Sequence, residues 1–109
     1  MAKELIFTYE GKDYTLGYSK NTIREMESRG FTANRIDDVP ATVIPDLFAG
    51  AFLLHHKFVK PEVIEAIYQH LPNKPALLKA LGEMYSEPIE ALMAEPENPK
   101  ENVSWTTNW

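Results

Sequence analysis

The sequence predicts an α+β fold: an N-terminal β-hairpin packed on a small bundle of about four helices, followed by a flexible C-terminal tail. Three observations carry that reading. From Leu5 to Tyr18 apolar residues alternate at the period of a strand. After Ser19 the apolar spacing changes to three and four, the period of a helix, with prolines and glycines as punctuation. From Pro96 onward aliphatic residues nearly vanish, yet both tryptophans, Trp105 and Trp109, stand there. The expected organisation is one globular domain over residues 1–95 and a polar tail over 96–109.

The hairpin is expected over residues 3–18. Leu5, Phe7 and Tyr9 alternate with Ile6 and Thr8, and Tyr14, Leu16 and Tyr18 with Thr15 and Gly17. Between them Glu10-Gly11-Lys12-Asp13 supplies a glycine that tolerates positive φ. A lone hairpin is marginal in water, so its aromatic face must rest on helices.

The first helix is expected over about 20–30, capped by Ser19 or Asn21, with Ile23 and Met26 on its buried side. Gly30 stands where a glycine ends helices, and Phe31 where a hydrophobic contact closes the cap. Residues 32–45, with Asp37, Asp38 and two prolines, read as an irregular connector. Pro45 then suits the first turn of a second helix over about 45–58. Its run Leu47–Leu54 is apolar nearly all round, which marks a central helix, and Gly50 allows a neighbour to approach closely.

Pro61 opens a third helix over about 61–71, whose stripe is Val63, Ile64, Ile67, Tyr68 and Leu71. Pro72-Asn73-Lys74-Pro75 is a short turn between antiparallel helices. The last helix, over about 75–94, carries Leu77, Leu78, Leu81, Tyr85, Ile89, Leu92 and Met93. Pro88 removes the bond to the carbonyl of Met84, so a kink or break is expected near Ser86.

Composition narrows the function. With no cysteine the chain has no disulfide, thiol nucleophile or thiolate metal site, and it reads as a soluble protein of a reducing compartment. Its first residues do not resemble a signal peptide, and its apolar runs are far short of a bilayer span. Residues 1–60 carry eight Lys/Arg and eight Asp/Glu, whereas residues 61–109 carry three Lys and eight Glu. The acidic half repels phosphate backbones, and neither nucleic acid nor a membrane is expected as a partner.

Few residues suggest chemistry. His55 and His56 are adjacent, so on a helix they point about 100° apart and cannot chelate as an i, i+4 pair does. Asp37 and Asp38 could act as paired carboxylates, although such pairs more often cap a turn. No phosphate-binding loop, serine elbow or triad spacing is present. The chain is therefore expected to be non-enzymatic, with no cofactor, no metal and no catalytic residue. The expected partner-binding residues are Trp105 and Trp109, with Val103 beside them, since large indoles in a polar segment need something to dock against.

The order of features also carries a resemblance. Phe7-x-Tyr9-x-Gly11-Lys12-x-Tyr14-x-Leu16 is followed by Thr22-Ile-Arg-Glu-Met-Glu27 and Gly30-Phe31. Leu47-Phe-Ala-Gly-Ala-Phe52 with His55-His56, Glu83-Met-Tyr85 and Asn102-Val-Ser-Trp105 come next. This combination resembles the tail assembly chaperones of siphophages that infect Gram-positive bacteria. The resemblance implies a protein of the host cytoplasm that keeps the tape measure protein soluble and recruits the major tail protein while the tail tube grows. It also implies no catalytic residues. Weak homo-oligomers are expected of such a protein, because a long client needs many copies. The alternative is a minor structural or connector protein of the phage virion; a small enzyme using the histidines and Asp37-Asp38 is the third reading.

Overall fold

A computed structural model describes residues 3–94 and 106–109. It begins with two antiparallel strands, β1 (Leu5–Tyr9) and β2 (Lys12–Leu16), paired with Leu5 opposite Leu16 and Tyr9 opposite Lys12. Glu10 and Gly11 join them, both at positive φ, 49° and 78°, as the two-residue turn that matches strand twist demands. Odd residues of β1 and even residues of β2 face inward, where Phe7 stacks on Tyr14 with centroids 5.3 Å apart.

Helix α1 (Lys20–Ser28) starts at a reciprocal cap: Thr22 N–H donates to Ser19 Oγ at 3.1 Å, and Ser19 N–H to Thr22 Oγ1 at 2.8 Å. Its C-terminus is closed by Gly30 at φ 96°, whose N–H reaches Glu27 O, while Phe31 N–H reaches back to Met26 O. This is the pair of bonds that satisfies a helix's orphan carbonyls, and Phe31 is buried beside it as the sequence suggests.

The second helix departs from the expected 45–58. Helix α2 runs Pro40–Gly50, so Pro40 rather than Pro45 occupies its first turn. Pro45 lies inside it. The bond it removes would have used the carbonyl of Ala41, a residue exposed at the surface. The connector expected over 32–45 shrinks to a 3-10 turn, Ala33–Arg35, and the bends after it. Beyond Gly50 the bonds tighten to three residues back, from Ala51, Phe52 and Leu53 to Phe48, Ala49 and Gly50. The Ala51 carbonyl is taken by Gly17 N–H at 3.1 Å, so the continuation of β2 holds the chain where the helix stops.

Helix α3 (Pro61–His70) and helix α4 (Lys74–Met93) complete the bundle. Of the kink or break expected near Ser86, the break does not occur: α4 continues through Pro88 as one element, and Ser86 Oγ donates to Gly82 O at 2.9 Å. The core is centred on the run after Leu47. Phe48, Ala51 and Phe52 are fully buried with Leu16 of β2, Ile67 of α3 and Leu81 of α4. Edge-on rings, Phe52 on Phe48 and on Tyr14, link the hairpin to α2. Among the described residues no helix is long and apolar enough to cross a membrane.

Candidate interaction surface

Because α2 stops at Gly50 and the chain turns before α3, the two helices leave an open cleft of about 880 Å³ between them. Its walls are apolar. Phe48 and Phe52 form the floor, with Leu53, Val59 and Ile64 along the sides and Met26 and Phe31 at the α1 end. Tyr68 crosses onto Phe48 at 5.1 Å, and the Lys74 ammonium sits 4.8 Å over its outer face. Charges of both signs, Arg29, Asp46, Lys57 and Glu65, ring the opening. Arg29 is tied to Glu25 at 2.8 Å. Phe58, next to this rim, is 94% exposed, an unusual position for a phenylalanine ring.

The adjacent histidines do separate tasks. His56 Nε2 accepts the Thr15 N–H at 3.0 Å and packs against Tyr14 and Phe52, which fixes the neutral ring with its lone pair toward β2. Burial lowers its pKa, and Lys12 and His55 nearby add to the effect. His55 instead points to Glu4, 2.9 Å away. His70 bonds the Ala66 carbonyl and lies against Tyr9. Among the described residues no three His, Asp or Glu side chains gather at one point. Asp37 and Asp38 are both exposed in the turn before α2, and Asp38 N–H bonds Arg35 O.

A smaller cleft of about 420 Å³ lies between α1 and the end of α4, lined by Ile23, Pro88, Ile89 and Leu92 with Lys20 and Arg24 at its edge. The last turn of α4 continues outward with Leu92 62% and Met93 82% exposed. Met84 and Tyr85, about two turns earlier, are buried, with Tyr85 edge-on to Tyr18 and Phe31. Burial, with Glu27 nearby, raises the pKa of Tyr85; burial and then Tyr85 raise that of Tyr18, whose hydroxyl donates to Leu47 O. Of the residues expected to bind a partner, Trp109 is almost fully exposed, while Val103 and Trp105 lie outside the described residues.

The cleft was not legible in the linear pattern, because it depends on where α2 ends. Phe58 carried the nearest signal, an aromatic in the short run Lys57-Phe58-Val59-Lys60 beside the cleft-lining Lys57 and Val59. The chain matches over residues 1–109 the family model described as a domain of unknown function, DUF5055, and belongs to that family. No curated protein and no solved structure matches it significantly.

Proposed function

We propose that this DUF5055 chain is a non-enzymatic assembly chaperone of a siphophage tail, which shields the tape measure protein and helps bring major tail protein to it in the host cytoplasm. The observation that carries the reading is the open apolar cleft between α2 and α3, with mixed charges on its rim. Such a groove suits the apolar stripe of an amphipathic helix, read at i, i+3, i+4 and i+7. A tape measure protein offers long helices of that kind. The exposed Trp109, together with Trp105 and Val103, would add a second contact outside the cleft.

The test uses half-buried cleft positions that pack against the core without belonging to its fully buried set. Leu53→Glu and Ile64→Glu each place a charge where the client helix would lie. Either variant should retain cooperative melting and lose at least tenfold in co-purified tape measure protein. Undiminished co-purification would remove the cleft from the account. Mass spectrometry of finished virions separates the virion-component reading, which requires the chain to be present there.

A further inference from the structure

The two edges of the hairpin are treated differently. A two-residue turn makes Tyr9 and Lys12 a closing pair that exchanges both backbone bonds. By alternation Phe7/Tyr14 and Leu5/Leu16 do the same, whereas Ile6/Thr15 and Thr8/Asp13 turn their N–H and C=O groups outward. On β2 and the residue after it, two outward donors are used, Thr15 N–H by His56 and Gly17 N–H by Ala51 O, leaving only Asp13 N–H beside the turn without a partner among the described residues. On β1 none is used. Among the described residues the outward backbone groups of Ile6 and Thr8 have no partner.

The side chains sharpen the contrast. Natural sheet edges that stay single usually carry a charge or a proline at mid-strand. Here the middle of the free edge is Ile6, 73% exposed, on a face it shares with Thr8, Asp13 and Thr15. An isoleucine over a row of unused donors and acceptors is the arrangement of a strand built to be paired.

We propose that β1 pairs antiparallel with β1 of a second copy across a two-fold axis, giving a four-stranded sheet. Bond geometry and charge choose the register. Two registers join the outward residues of both strands along their length. One sets Ile6 against Thr8 of the second copy and thereby Glu4 against Glu10, two like charges face to face. The other sets Ile6 against Ile6 and Glu4 against Thr8, with no like-charge pair, and it brings Leu5 opposite Phe7 on the inner face. The second is self-complementary and covers the exposed isoleucine. The pairing rests on the hairpin alone and is independent of the chaperone reading.

Sedimentation velocity over a concentration series should show a monomer–dimer equilibrium, weakened at least tenfold by Ile6→Lys. Circular dichroism melting checks that this variant folds, as its solvent-facing position requires. Since the chain has no cysteine, single cysteines report the register. In a hydrogen-bonded pair the Cα atoms are about 5.5 Å apart, within disulfide reach. Ile6→Cys should therefore cross-link to a dimer under mild oxidation, and Thr8→Cys should not. A monomer at every concentration, or a dimer unchanged by Ile6→Lys, would overturn the proposal. So would a β1 whose amide signals shift only when client is added, since the edge would then serve a client strand. Faster cross-linking of Thr8→Cys would overturn the register.

Discussion

Gly50→Ala tests the closest approach in the core. Gly50 ends α2 directly against Met26 of α1, and a Cβ there would stand 2.5 Å from its Sδ and 3.0 Å from its Cγ. Met26 is only 4% exposed, but the atoms met are the flexible end of its side chain, which borders the cleft and can give way in part, so the cost falls at the low end for overpacking. Overpacking of this kind costs about 1–3 kcal/mol. The better helix propensity of alanine offsets at most about 1 kcal/mol, and less at a helix end. The net expectation is a loss of up to roughly 1 kcal/mol. In a Met26→Ala background the obstruction is gone, and the same change should be neutral or stabilising by up to about 1 kcal/mol. Urea unfolding followed by circular dichroism measures all four corners of that cycle, with an unchanged m-value as the check that only stability moved. Equal effects of Gly50→Ala in both backgrounds would refute the packing argument.

Phe52→Ala should cost about 3–5 kcal/mol, since the ring is 1% exposed and supports both Phe48 and Tyr14; a loss under about 1 kcal/mol would place it on the surface. His56 is a neutral acceptor whose folded pKa lies below 6.5, so the unfolded chain binds the proton first. Its contribution should be constant above about pH 7.5 and decline as pH falls through 6.5 toward the lowered value, a decline that His56→Gln should reduce in thermal melts. A variant with an unaltered pH profile would contradict that assignment. Deleting residues 96–109 should leave the melting temperature of the domain unchanged while reducing capture of tape measure protein. A loss of several kcal/mol would instead make Trp105 and Trp109 core residues.

The hairpin was legible because its signals agree: alternation sets the faces, and Gly11 sets the turn, so register followed. Helices α1 and α3 were equally plain, since Ser19 with Gly30, and Pro61 with Pro72, mark their ends from both sides. Helix α2 was not. Pro40 and Pro45 both suit a first helical turn, and the choice between them depends on whether the Ala41 carbonyl can reach water, a tertiary matter. Its end was hidden for a similar reason, because the Gly17–Ala51 bond joins residues 34 apart in sequence. The cleft exists only once that end is fixed. Pro88 shows the converse: the sequence marks a place to break, yet α4 runs through it as one helix, with Leu81, Met84 and Tyr85 buried just before it.

The most direct measurement of the central claim is the amount of cognate tape measure protein that stays in solution when the two are expressed together. The account predicts that tape measure protein made alone is largely insoluble, and that co-expression moves it into a soluble complex containing this chain. Tape measure protein that remains insoluble beside a well-folded excess of the chain would contradict it.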